Sequence, residues 1–236
     1  MSICKTATFA ILTLFATACS NQTPIHTQIN NNSGQLSADD KVQKLFETIF
    51  EERVALSPEW QTSLGRSTQK DRWNEHTEEA YQAWHDQAKA HLQQLQRLDS
   101  RQLTHQNQLS LSLLMADLEE EISNHPWRYH GYPINQMFGY HSRVPSFLIS
   151  QHSIKTLQDA EDYIARLNGV KTKLAQVVEF LQERKKRGII APKFVFAHVL
   201  RDSDNLLQGR PFEASSENDS TLLADFRRKI DKLDLD

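Results

Sequence analysis

"TLQDAEDYIARLNGVKTKLAQVVEFLQERKKRG", residues 156–188, repeats apolar residues at helical steps. Ala160, Tyr163, Ile164 and Leu167 serve its first part, and Leu174, Val177, Val178 and Leu181 its second. Gly188 stands where a C′ glycine ends a helix. The basic run at residues 183–188 falls in the last turn, where cations complement the helix dipole. Capping electrostatics on a solvated turn therefore accounts for it better than anion binding does.

The same period extends outward in both directions. Ser37 and Asp40 predict a helix start, with Asp in the capping position usually held by Glu, and Pro58 is expected to close that helix. Tyr81, Trp84, Ala88, Leu92 and Leu95 form one stripe of a helix over residues 73–98. Leu111, Leu114, Leu118 and Ile122 mark a third helix ending near Asn124. Beyond the opening stretch, Pro192 suits the first turn of another helix. A polar loop at residues 209–218 leads to a last one, in which Leu222, Leu223, Phe226, Ile230 and Leu233 share a face. Nothing follows to cover that face, so the domain is expected to be incomplete and marginally stable. The fold class is all-α, mostly long antiparallel helices, with a short irregular or two-stranded extended segment near 127–150.

That segment centres on "YHGYPINQMFGYHSRVPSF", residues 129–147. Gly131, Pro133, Gly139 and Pro145 argue against a continuous helix. Ile134, Met137, Phe138, Val144, Phe147 and Leu148 are expected to anchor it. Tyr129, His130, Asn135, Gln136, Tyr140, His141 and Arg143 are then candidate cleft-lining residues, since aromatics beside hydrogen-bonding groups suit a peptide backbone. A packed connector between helices is the alternative.

Of 236 residues, 39% are hydrophobic and the formal charge is -3, which gives no reason to expect nucleic acid as a partner. Seven glycines and seven prolines favour helices over a turn-rich β fold. Residues 1–18 read as a signal peptide: Lys5, then the apolar "ATFAILTLFA", then Ala-Thr-Ala before Cys19. An ordinary secretory signal cleaved after Ala18 also fits, but it leaves the cysteine unexplained. The junction resembles a lipobox, with Ala16 where Leu is usual, making Cys19 the acylated (palmitate-bearing) N-terminus. Ser20 after it points to the outer membrane, facing the periplasm. Residues 19–36 are polar and Asn-rich and read as a disordered tether, leaving 37–236 for the helical region. With Cys4 removed and Cys19 lipidated, no disulfide is available.

Ten histidines invite a metal, yet none has another His four residues on, so the two-His helical face of zinc peptidases is missing. No nucleophile elbow or phosphate-binding glycine loop is present either.

"LSPEWQTSLG" at residues 56–65, Pro133, Asn135, Gln136 and Gly139, then Pro145, then Asp162, Tyr163, Arg166 and Leu167, then Gly188 and Pro192 together resemble the bacterial domain of unknown function 885 family. The resemblance implies exported lipoproteins related to helical zinc metallopeptidases of the HExxH type. Members are typically more than twice this length, with HExxH in their C-terminal half. This chain corresponds to the N-terminal helical half and contains no HExxH, so catalytic residues, metal ligands and cofactor are none here; zinc belongs to full-length relatives. Two readings follow. One is a truncated, peptidase-like exported lipoprotein without catalysis of its own; the other is a non-catalytic helical lipoprotein that binds peptides or a partner. The expected partners are the membrane, through the lipid, and peptides. Mass spectrometry of the mature N-terminus is expected to show acylated Cys19; an unmodified, soluble Cys19 form contradicts this.

Overall fold

The computed structural model describes residues 36–233. The expected signal peptide, Cys19 and all of the tether except Leu36 lie outside the described residues. Among the described residues the structure is all-α. Helix α1 (Ala38–Ala55) starts on Ser37, whose hydroxyl accepts the Asp40 amide at 3.1 Å while Asp40 accepts the Ser37 amide at 3.1 Å. The capping box thus forms with Asp, as expected. Pro58 does not merely close α1: it opens α2 (Pro58–Ser63) at the first position, where its missing N–H leaves no bond unmade. Helix α3 spans Glu78–Gln96 and α4 His105–Asn124. They are followed by α5 (Tyr140–Ser150), α6 (Leu157–Lys186), α7 (Lys193–Leu206) and α8 (Thr221–Ile230).

Two differences from the sequence reading have physical causes. Residues 73–77, expected inside α3, stay non-helical because Trp73 turns inward, donating its indole N–H to the Arg166 carbonyl at 2.7 Å. The irregular segment near 127–150 stops at Gly139: after one isolated bridge between Ile134 and Gly139, α5 runs straight through Pro145. One backbone bond is lost there, about 3 kcal/mol with the ring's clash. Val144, Pro145 and Leu148 are buried on that face, and at about 1.5–3 kcal/mol per large apolar side chain their burial outweighs the loss. Met137 and Phe138, expected as anchors, are exposed. As the periodicity predicts, α6 is a continuous helix, and it passes through Gly169. A Cβ at that position would lie 3.2 Å from the Trp73 ring, so the glycine makes room for the indole.

Two apolar clusters result. Val42 and Ile49 of α1, Ala88 and Leu95 of α3, Leu103, and Leu111 and Leu118 of α4 form the first. Trp73, Val144, Leu148, Ile154, Ala160 and Tyr163 form the second. Leu222, Phe226, Ile230 and Leu233 pack against this second cluster. The stripe expected to stand uncovered is therefore half-buried on α5 and α6. Lys229 fastens it, donating to the carbonyls of Leu148 (2.7 Å), Ile149 (3.0 Å) and His152 (2.9 Å) at the end of α5. The first two are acceptors that the C-terminus of α5 leaves open, and the third follows just after it.

Beneath the second cluster lies Arg166, with 0% of its surface exposed. Its Nε donates to the Arg72 carbonyl at 2.9 Å, Nη1 to His152 Nδ1 at 3.1 Å, and Nη2 to Thr62 Oγ1 at 3.0 Å and the Gln69 carbonyl at 3.2 Å. Its charge rests against Trp73 and Phe147, 5.4 and 5.1 Å from their ring centres. Replacing Arg166 with Met strands those carbonyls and the imidazole. The expected loss is about 3–5 kcal/mol in urea unfolding; a loss below about 1 kcal/mol would refute the role given to this residue.

Candidate functional site

Helix α6 carries three cations on its buried stripe. Arg166, Lys173 and Arg184 recur at steps of seven and eleven, on the same side as Tyr163 and Val177, and all five are buried. Each cation meets a different environment.

Lys173 is 3% exposed. Its ammonium donates to Glu59 Oε1 at 2.5 Å and to His76 Nε2 at 3.1 Å. That bond assigns the His76 proton to Nδ1, which lies 3.1 Å from the Tyr81 hydroxyl and 3.3 Å from that of Tyr140. Burial, then the Lys173 charge, lowers His76 to about 4, and burial raises Tyr140 to about 12. At neutral pH the network is an ion pair, a neutral imidazole and two phenols. The one imidazole lone pair is taken by the ammonium, so the network holds Tyr140 in place rather than offering a free base.

Arg184, 6% exposed, has no such company. Nη2 donates to the Arg128 carbonyl at 2.8 Å, while Nε and Nη1 are buried with no hydrogen-bond partner among the described residues. Glu183, its neighbour in the chain, pairs with Lys186 and Arg187 instead. The guanidinium lies 4.8 Å from the Phe180 ring centre. A buried ion without its counter-charge costs roughly 3–5 kcal/mol. The helix C-terminus returns about 0.3–1 kcal/mol and the aromatic face about 0.5–2 kcal/mol. Burial accordingly lowers the Arg184 pKa.

Two hollows adjoin this stripe, and a third lies beside His76. The largest, about 710 Å³, is an apolar groove walled by Pro145 of α5, Leu167, Leu174 and Val178 of α6, Val199 of α7 and Phe226 of α8. Tyr163 also lines it, with no hydrogen-bond partner for its hydroxyl among the described residues. A second hollow of about 260 Å³ lies between residues 131–134, the end of α6 and the start of α7, and Arg184 borders it. Ile134 and Val199 line both. The third, about 430 Å³, holds His76, Tyr81 and the rings of His85 and His125, which stack 3.9 Å apart. No group of three metal-ligating side chains occurs among the described residues.

The structure distributes the seven sequence-predicted residues over different surroundings. Tyr140 and His141 line the apolar groove. Tyr129 is buried, its hydroxyl donating to Glu78 Oε2 at 2.6 Å. Asn135 Oδ1 accepts the amides of Met137 (2.9 Å) and Phe138 (2.7 Å), closing a turn. His130 stacks edge-on to Trp127 and is exposed, as are Gln136 and Arg143. Lys173, Glu59, His76 and Arg184 escaped the sequence reading. For Arg184 the signal was available: a cation spaced seven residues from Val177 and fourteen from Val170 sits on the apolar stripe, not on the solvent face.

These features define an all-helical domain with an apolar groove beside a helix of buried cations. The family described as "Bacterial protein of unknown function (DUF885)" matches residues 58–235, and the chain belongs to it. No curated protein and no solved structure matches the chain.

His76 and His152 generate a pH dependence. Burial holds each at about 4, whereas an unfolded histidine titrates near ~6.5. Between those values the unfolded chain binds more protons, so stability is complete above pH ~6.5 and falls as pH drops toward 4. Each ring accounts for on the order of 3 kcal/mol across that window, at about 1.4 kcal/mol per pKa unit. Thermal unfolding at pH 7, 6, 5 and 4.5 is expected to show a steady fall; a flat profile would contradict the neutral buried imidazoles.

Proposed function

We propose that this chain is an exported, lipid-anchored envelope protein whose helical domain binds apolar peptide segments in the α5–α8 groove, without hydrolysing them by its own residues. The groove carries this reading. Its volume of about 710 Å³ falls within the ~300–1,000 Å³ of ligand sites. Ile164, Val178 and Phe212 line it yet remain exposed, Val178 at 50%. Tyr140, His141, Asn168, Ser203 and Ser220 also line it and supply groups that bond a peptide backbone.

The resemblance to zinc metallopeptidases supports peptides as the ligand class, and the lack of an HExxH motif supports binding without cleavage. Zinc then belongs to relatives that carry that motif. A second reading is favoured by the same exposed apolar faces of α6 and α7. In it, the chain corresponds to the N-terminal half of a peptidase-like protein, and the groove seats the HExxH-bearing half.

Fluorescence titration with labelled peptides rich in Leu and Phe tests the first reading. Val178→Lys places a charge in the groove at an exposed position, so the fold is expected to survive while peptide affinity drops tenfold or more. Unchanged affinity in V178K, or no binding by the parent chain, would reject peptide binding here. Burial of the groove on mixing with an HExxH-bearing half from a relative would favour the second.

A further inference from the structure

We propose that the corner where α6 passes into α7 is a membrane-contact surface. Its exposed apolar side chains enter the interface of an anionic bilayer, and the lysines among them meet the lipid phosphates. The proposal rests on the reading of the chain as an envelope protein and is independent of the peptide groove.

Two stretches of chain lie side by side at this corner. Arg184 donates to the Arg128 carbonyl at 2.8 Å, and the Arg187 guanidinium lies 4.0 Å from the centre of the Tyr129 ring. These contacts set residues 127–132 beside the last turn of α6. Tyr132 then shares the lining of the smaller hollow with Ile190 and Phe196. Trp127, Tyr132, Ile190, Phe194 and Phe196 are all exposed, from 48% at Phe196 to 62% at Trp127. Large apolar side chains gathered on a surface mark a place where a protein or a membrane is met.

The charges decide between these two. Residues 184–196 hold five cations and no carboxylate, in a chain whose formal charge is -3. Arg184 is buried, while Lys185, Lys186, Arg187 and Lys193 are exposed among the apolar side chains. Glu183 pairs with Lys186 and Arg187, and Glu78 with Arg128, so Lys185 and Lys193 keep no carboxylate partner among the described residues. Dipole capping accounts for cations in the last turn of α6. It does not account for Lys193, which opens α7, where a positive charge opposes the helix dipole. Protein–protein interfaces are depleted of lysine. Segments that lie in a membrane interface have the opposite composition, Lys and Arg around aromatic and aliphatic side chains, and they bind by apolar burial together with attraction to anionic lipid. Trp and Tyr favour the headgroup level, and lysine stems cross the apolar layer to place their ammonium groups in water.

Trp127 serves as the reporter. The exported chain on vesicles of brominated phosphatidylcholine mixed with phosphatidylglycerol is expected to lose Trp127 fluorescence, isolated as the difference between the parent and Trp127→Phe. Vesicles of brominated phosphatidylcholine alone are expected to quench it less than half as much. Lys185→Glu with Lys193→Glu, and separately Ile190→Ser with Phe194→Ser, are expected to cut the quenching by half or more. All four positions are exposed, so the melting temperature should hold. Mass spectrometry of the mature N-terminus reads the Cys19 anchor separately: an unacylated chain refutes the anchor, while the quenching still judges the corner. Trp127 left unquenched, equal quenching by neutral vesicles, or parent-like quenching in both double variants would overturn the proposal. So would either competing occupant. One is an HExxH-bearing half of a relative that protects Ile190 and Phe194 from hydrogen exchange and ends vesicle contact; the other is a dimer of this chain that I190S/F194S dissociates. Should a double variant fail to fold, the comparison of anionic and neutral vesicles on the parent chain still decides.

Discussion

A guanidinium that cannot be discharged, placed where no water reaches it, is the constraint on which the second half of this fold depends. Burial lowers Arg166 to about 10, still well above neutral pH, so the group remains charged and must be bonded. Its acceptors come from three places: Thr62 of α2, the carbonyls of Gln69 and Arg72, and His152 after α5. Residues 65–77 take their irregular course to deliver those carbonyls, with Gln69 held at a φ of 56°, a region that non-glycine residues seldom visit. His152 has a matching duty. Its Nδ1 accepts from Arg166, so its Nε2 carries the proton and donates to the Asp159 carbonyl at 3.1 Å. The imidazole has to be neutral for both bonds to exist.

The same helix thus shows three solutions to one electrostatic problem. Carbonyl dipoles surround Arg166; Glu59 neutralises Lys173; Arg184 bonds one carbonyl, rests on Phe180 and keeps two donors unmet among the described residues. The first two are closed sets that rigidify the centre and hold Trp73 and Tyr140 against α6. The third is incomplete among the described residues. Around the first two cations the packing leaves nothing for a ligand to contribute.

Much of the helical frame was legible because it follows from short-range rules. Ser37 and Asp40, Gly188 and the stripes of α3, α4 and α8 announce themselves at spacings of three and four. What escaped depends on residues far apart in the chain. Pro145 is a helix breaker by local rule, yet Val144 and Leu148 bury enough surface on the second cluster to carry α5 through it. Residues 73–77 have helical neighbours, but Trp73 is claimed by a carbonyl on α6. The candidate site was legible only in part, at Tyr140 and His141. Glu59, His76 and Lys173 meet across 97 to 114 positions of sequence, and no periodicity within one helix reports such a meeting. Asn135 and Tyr129 look like recognition groups in sequence because the same atoms that bind a peptide also close a turn or cap an ion pair.

The clasp between Lys229 and the end of α5 has a consequence for the order of events during synthesis. Two carbonyls that α5 leaves open, and that of His152 just after it, find their donor some eighty positions later, on the last described helix. Chains leave the ribosome from the N-terminus at roughly 5–20 residues per second, so α1, α3 and α4 can close their cluster while α8 is still unmade. The second cluster has to wait. Until Lys229 emerges, the surface of α5 and α6 that Phe226 and Ile230 will cover stays open to other chains. The domain therefore assembles as an early N-terminal half and a late C-terminal one, with a single ammonium completing the latch.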